Sequence, residues 1–115
     1  MTQSFSVQLP SYDYKPEPYT GIPFEKVVQD RKDFVPKFNF HYYTEPLLMV
    51  EGKMQYLFDH KGNRYQVWIS GISTVSIGHS HPALVKAVTE QAHTLGHISQ
   101  VNLSNVQSVY AKMLC

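Results

Sequence analysis

Residues 46–69 constrain the fold most, because apolar and polar side chains alternate along them and glycine interrupts the pattern twice. The stretch reads PLLMVEGKMQYLFDHKGNRYQVWI. Successive side chains of a strand point to opposite faces, and the glycines of EGK and DHKGN supply the positive φ that tight turns need. The pattern predicts a three-stranded antiparallel meander with turns at these two places. Aromatic residues fall on both faces, so we expect both faces to be covered.

Helical patterns flank the meander. Before it, PFEKVVQDRKDFV repeats apolar residues at helical spacing between Pro23 and Pro36, which predicts a short helix. After it, Pro82 begins a second helix with an apolar stripe that is interrupted at Gly96. Ser104 lies three residues before Gln107, a capping-box pattern that predicts the start of a last helix.

The first 23 residues hold most of the seven prolines and show neither a helical nor an alternating period. They predict an extended arm that needs a partner surface, since ordering it costs about 1–2 kcal/mol per residue in backbone entropy. The predicted fold class is therefore α+β, with an arm over residues 1–23 and one incomplete domain over residues 24–115. The last helix carries no stop pattern at its end, so we expect the chain to be a fragment or a truncated product.

Composition narrows the classes of function. The 115 residues carry a formal net charge of +1, and the basic residues are scattered, which argues against a nucleic-acid partner. No apolar run approaches the roughly 18 residues that a membrane span needs, and no targeting segment is visible. The single cysteine, Cys115, excludes an internal disulfide and suits a reducing compartment.

The histidines permit a zinc interpretation, since His79 and His81 are two residues apart and His93 and His97 are one helical turn apart. A cysteine pair or a His-Glu-x-x-His motif is missing, which disfavours it. We expect His79 to occupy a turn where its ring can hydrogen-bond the backbone. The glycines of SGISTVSIGHSHP lack the spacing of a dinucleotide loop, so tight core packing is the alternative for this segment.

Several motifs together resemble one known family: KPEPYTG, RKDFVP, PLLMVEGKMQYLFDHKGNRY and SGISTVSIGHSHPALVKAVTEQ. In this order and spacing they are similar to the N-terminal portion of the class III, pyridoxal-phosphate-dependent aminotransferases, especially the alanine–glyoxylate aminotransferase 2 group. The resemblance implies part of a fold-type I (α/β) transferase that works as a homodimer, with contacts through the arm and N-terminal segment. It implies pyridoxal phosphate as cofactor, small amino acids and 2-oxo acids as substrates, and a mitochondrial location, with the cytoplasm as the alternative.

The same resemblance implies that the residues that carry out the chemistry lie outside this chain. In such enzymes a Schiff-base lysine, an aspartate at the pyridine nitrogen and a Gly-Ser-Glu-type phosphate loop all lie downstream of the matched region. It therefore implies no catalytic residue here, gives no such role to Lys53 or Lys86, and predicts that the 115-residue chain alone is inactive and does not hold the cofactor. The alternative is a non-catalytic fragment that docks on a full-length aminotransferase subunit.

The resemblance does assign candidate substrate-binding residues to this chain. It implies that Ile72 shapes the substrate side-chain pocket and that Tyr42 is an aromatic wall nearby, with Val75 and Ser76 close to the cofactor. It places Gly71, Gly78, His79 and Pro82 in the structural turn that leads into the second helix. Family members commonly carry an aspartate where Gln66 follows Tyr65 here, and its loss is expected to cost about 1 kcal/mol and to disturb the Ser70–Gly71 turn.

Overall fold

The structure is a computed structural model of the chain that describes residues 9–39 and 42–115. Its elements, in chain order, are α1 (Phe24–Phe34), β1 (Met49–Lys53), β2 (Tyr56–Asp59), β3 (Arg64–Gln66), α2 (Pro82–Leu95) and α3 (Asn105–Leu114). The predicted order of one helix, three strands and two helices is confirmed. The first eight residues of the predicted arm lie outside the described residues.

The three strands form one antiparallel sheet in the order β1-β2-β3, so the predicted meander is confirmed. Its core lies on the central strand, where Tyr56 and Phe58 are buried and Phe58 is 1% exposed. These residues share a face because they are two positions apart. The arm covers that face: the Tyr14 ring lies 5.6 Å from the Phe58 ring, and the Arg64 guanidinium lies 3.7 Å from the centre of the Tyr12 ring.

The first turn lies later than predicted. Strand β1 continues through Gly52 to Lys53, and the turn falls at Met54, which has a φ of 48°. Gly52 is required for a different reason, since a Cβ at this position would lie 2.8 Å from the Cβ of His79. The prediction of a turn at EGK is therefore wrong: this glycine makes room for a distant part of the chain and does not bend the backbone.

The second turn is confirmed, and the third strand is shorter than predicted. Gly62 has a φ of 82° in DHKGN, as a tight turn requires. Strand β3 ends at Gln66, which pairs with Tyr56, the first residue of β2. Residues beyond Gln66 run past the end of their partner strand, so the chain leaves the sheet and Trp68 is 84% exposed.

The described residues divide into two compact units between His81 and Pro82. In the second unit, α2 begins at Pro82 and ends before Gly96, as predicted. Helix α3 follows Ser104, but the Ser104 side chain makes no capping hydrogen bond, so the capping-box prediction is wrong in its mechanism. No helix among the described residues is long and apolar enough to cross a membrane.

Candidate functional site

The candidate site lies on the loop that connects β3 to α2. Four consecutive residues of this loop adopt left-handed backbone angles, with φ of 51° at Ser70, 58° at Gly71, 58° at Ile72 and 66° at Ser73. We refer to these residues as the 70–73 turn. Left-handed geometry costs about 1–2 kcal/mol for each residue that carries a Cβ. Strain of this kind is concentrated at functional sites in proteins, which marks the turn as more than a connection.

Hydrogen bonds within the loop hold the 70–73 turn. The backbone N–H of Ser73 donates to the carbonyl of Ile69 at 3.0 Å, and that of Val75 donates to the carbonyl of Ser70 at 3.0 Å. The Ser76 hydroxyl donates to the carbonyl of Ser73 at 2.6 Å. The Ser76 hydroxyl therefore supports the turn locally in this structure.

The two predicted substrate-side residues are open to solvent. Ile72 is 84% exposed at the centre of the 70–73 turn, and Tyr42, in the segment before β1, is 90% exposed. Val75 is half-buried and Ser76 is exposed. The described residues therefore enclose neither Ile72 nor Tyr42, and their roles as pocket walls stay predictions.

The loop returns to the sheet at His79. The backbone N–H of Met54 donates to the carbonyl of His79 at 2.7 Å, and the N–H of His79 donates to the carbonyl of Met54 at 2.8 Å. We call this pair of bonds the Met54–His79 clasp. Gly78 enters it with a φ of 101°, and the His79 ring lies over Gly52. The buried Nε2 of His79 has no hydrogen-bond partner among the described residues, and the predicted bond from the His79 ring to the backbone stays a prediction.

The comparisons with known proteins address this same region. The family model of class-III aminotransferases matches residues 39–114, which include the meander, the candidate loop and both later helices. The chain belongs to the class-III aminotransferase family. The predicted family is therefore confirmed.

Two curated relatives match this class-III aminotransferase chain over nearly its whole length. It is 37% identical over 98% of its residues to alanine–glyoxylate aminotransferase 2 homolog 2, mitochondrial, from Arabidopsis thaliana, and covers 24% of that protein. It is 35% identical over 93% of its residues to the mitochondrial alanine–glyoxylate aminotransferase 2 of Homo sapiens, and covers 21% of it. The chain thus spans between a fifth and a quarter of the length of these relatives.

Solved structures confirm the predicted fold family. The acetylornithine aminotransferase from Elizabethkingia anophelis superimposes with a TM-score of 0.71 at 27% identity, over 78% of this chain and 22% of that one. The taurine:2-oxoglutarate aminotransferase from Bifidobacterium kashiwanohense, solved with PLP and glutamate, gives a TM-score of 0.71 at 26% identity, over 84% of this chain and 22% of that one. The described fold of this class-III chain is therefore that of a part of a fold-type I aminotransferase.

A buried carboxylate at the end of β2 was not predicted from the sequence. Asp59 is 5% exposed and accepts four hydrogen bonds, from the backbone N–H groups of Lys61 and Asn63, from Asn63 Nδ2 and from the Tyr65 hydroxyl. Burial raises the pKa of Asp59, but the hydrogen bonds from Asn63, Tyr65 and Lys61 outweigh it and hold the pKa below its ordinary value. The Asp-x-x-x-Asn spacing around the predicted turn could have revealed this cluster, because aspartate caps such turns.

A second carboxylate anchors the arm. Glu51 of β1 accepts the Tyr14 hydroxyl at 2.8 Å and the backbone N–H of Glu17 at 3.1 Å. The hydrogen bond to Glu51 raises the pKa of the Tyr14 phenol, and burial adds to the effect. Residues 14–17 of the arm are therefore held against the sheet of their own chain.

The described residues do not by themselves fit the cofactor of the family. A lysine that forms a Schiff base works from a desolvated position, whereas the lysines of this chain are exposed apart from the half-buried Lys53. Lys86 is exposed and paired with Glu90 on α2. Among the described residues there is also no group of three or more His, Cys, Asp or Glu that could hold a metal ion. No catalytic step is therefore assigned to this chain alone.

Proposed function

We propose that this chain is a segment of a pyridoxal-phosphate-dependent transaminase that moves an amino group from alanine, or a similar donor, to glyoxylate or another 2-oxo acid. The observation that supports the proposal is the similarity to alanine–glyoxylate aminotransferases of 35–37% identity across 93–98% of the chain. Since the chain spans about a quarter of those relatives, the activity is proposed for the complete polypeptide. The mitochondrial names of the relatives support the same location for it.

In this proposal the chain supplies specificity and scaffold. Pyridoxal phosphate, held by residues outside this chain, supplies the electron sink of the reaction. The 70–73 turn projects Ile72 away from its own loop, and its exposed side chain offers an apolar surface to the side chain of the amino donor. Tyr42 offers a second, aromatic surface, and Val75 and Ser76 lie on the following turn, on the cofactor side.

A second function concerns the 115-residue chain by itself: a non-catalytic fragment that docks on a full-length subunit. Exposed apolar side chains on both later helices favour it, since Val88 on α2 and Val109 on α3 face solvent. Large exposed apolar patches mark interaction surfaces. In the complete polypeptide the same property supports a homodimer, to which the arm and N-terminal segment contribute.

Activity of the complete polypeptide tests the first function. The purified protein, supplied with pyridoxal phosphate, alanine and glyoxylate, should produce pyruvate and glycine in equal amounts. Parallel reactions with 2-oxoglutarate as acceptor and with lysine as donor measure the preference. Absence of any amino transfer with every donor and acceptor pair, from a folded and cofactor-loaded protein, would contradict the proposal.

The isolated chain tests the second function. Incubated with pyridoxal phosphate and treated with borohydride, the 115-residue chain should retain no stoichiometric cofactor adduct after gel filtration, whereas the complete polypeptide should retain one per subunit. The isolated chain should also co-elute with the complete polypeptide when the two are mixed. A stoichiometric adduct at one lysine of the isolated chain would show that it holds the cofactor alone.

A further inference from the structure

The Met54–His79 clasp joins the candidate loop to the sheet. We infer that this clasp is a positioning device: it holds the 70–73 turn, and with it the Ile72 side chain, at a fixed place relative to β1 and β2. The inference rests on the proposed function, in which Ile72 faces the amino donor. The positioning residues in this scheme are His79, Gly52 and Gly78, because they act through the loop and do not touch the substrate.

The two ends of the loop lie close together on the sheet, which is the first observation that supports the inference. We call the place where Met54 and Gln55 bind the two ends the neck of the loop. The loop leaves the sheet where the backbone N–H of Val67 donates to the carbonyl of Gln55 at 2.9 Å. It returns where Met54 and His79 exchange bonds of 2.7 and 2.8 Å. Both ends of the loop are thus tied to two adjacent residues, Met54 and Gln55. A displacement of Met54 and Gln55 therefore displaces both ends of the loop together.

Two glycines leave the neck no space for a side chain. A Cβ on Gly52 would lie 2.8 Å from the Cβ of His79 and 2.9 Å from its Cγ. A Cβ on Gly78 would lie 3.1 Å from the Cα of Met54, at a φ of 101° that strains any residue with a side chain. The Gly52 backbone therefore lies against the His79 side chain, and the Gly78 backbone lies against the Met54 backbone, so a side chain at either position would displace its neighbour.

A chain of hydrogen bonds links the neck to the 70–73 turn. The backbone N–H of Gly78 donates to the carbonyl of Val75 at 2.8 Å, and the N–H of Val75 donates to the carbonyl of Ser70 at 3.0 Å. A shift of Gly78 is therefore passed through Val75 to the first residue of the turn. Misplacing a substrate contact by about 1 Å can change a rate about a hundredfold, so a small shift at the neck is enough to alter specificity.

Gly52→Ala in the complete polypeptide tests the inference, with Gly62→Ala as matched control. Gly62, in the turn between β2 and β3, has a positive φ, but a Cβ there meets nothing within 4 Å, so its substitution strains the backbone without moving the neck. Both variants should lower the melting temperature. Gly52→Ala alone should change the ratio of kcat/KM for alanine to that for a bulkier donor by about fivefold or more. Equal ratios in both variants would overturn the inference.

Amide hydrogen exchange in the 115-residue chain separates the clasp from the proposed activity. Gly52→Ala should accelerate exchange at Met54 and His79 and, through the bonded chain, at Ser73 and Val75, whereas Gly62→Ala should leave all four unchanged. Faster exchange at the clasp with unchanged exchange at Ser73 and Val75 would show that the neck does not hold the turn. This readout stands even if the complete polypeptide transfers no amino group, a result that would defeat the proposed function alone.

A second variant covers the case in which Gly52→Ala does not fold. Gly78→Ala brings its Cβ to 3.1 Å from the Cα of Met54, a smaller overlap at the same neck, and adds backbone strain at a φ of 101°. It should reproduce the exchange pattern at Ser73 and Val75 and the change in donor preference. His79→Ala keeps both backbone bonds of the clasp and should leave exchange at Ser73 and Val75 unchanged. Loss of protection at these two amides in His79→Ala would show that the ring, and not the clasp, positions the turn.

Discussion

Asp59→Asn isolates the energetic contribution of the buried carboxylate. Oδ1 keeps its two backbone donors, the N–H groups of Lys61 and Asn63, each at 2.9 Å. The new Nδ2 group, itself a donor, faces Asn63 Nδ2 and the Tyr65 hydroxyl, which donate to the native Oδ2 at 2.9 and 3.0 Å. The Tyr65 hydroxyl can rotate to accept from the new group, but the bond from Asn63 Nδ2 and the negative charge are lost. Since a hydrogen bond to a charged group contributes about 1.5–3 kcal/mol, the free energy of unfolding should fall by about 2 kcal/mol at pH 7. Urea unfolding followed by Trp68 fluorescence and circular dichroism measures it.

The effect of Asp59→Asn should depend on pH in a defined direction. The folded-state pKa of Asp59 is lowered, so its ionised form contributes stability above the unfolded pKa of about 3.9, and this contribution is lost as the pH falls through the folded value. The difference between native and variant chains should therefore shrink below about pH 4. Asp33→Asn is the control, since exposed Asp33 accepts, within the described part of the chain, only from Gln29 on α1 and should change stability by no more than about 0.5 kcal/mol. Equal losses in both variants, or a difference independent of pH, would refute this reasoning.

Three other outcomes follow from the structure. Tyr14→Phe removes the hydroxyl that donates to Glu51. Because the Glu17 amide donates to the same carboxylate, its hydrogen exchange should become faster. Unchanged exchange would mean that other contacts hold the arm. Ile72→Tyr in the complete polypeptide should alter the kcat/KM ratio between small and bulky donors more than the folding yield, and an unchanged ratio would remove Ile72 from the pocket. On heating the 115-residue chain, the helical signal of residues 82–114 should decline gradually, and a single sharp monomeric transition would contradict the exposed surfaces described above.

Features set by neighbouring residues were predictable from the sequence. Pro23 and Pro82 mark the starts of α1 and α2, and the alternating pattern gives the three strands in their order. The first turn was misplaced because Gly52 makes room for the side chain of His79, a residue distant in sequence. No local sequence pattern indicates such a contact. The left-handed geometry of Ile72 was unpredictable for a similar reason, since a β-branched residue disfavours positive φ by itself.

The two parts of the chain differ in what stabilises them. One face of the sheet is covered within the chain, because the arm packs on Phe58 and is held by Glu51. Helices α2 and α3, of 14 and 10 residues, show no close approach of their backbones to each other among the described residues. Isolated helices of about 12–15 residues or fewer are marginal in water, whereas burying one valine or leucine contributes about 1.5–3 kcal/mol. A surface that covers Val88 and its apolar neighbours would therefore stabilise these helices, as the proposal of a segment completed by a larger aminotransferase requires.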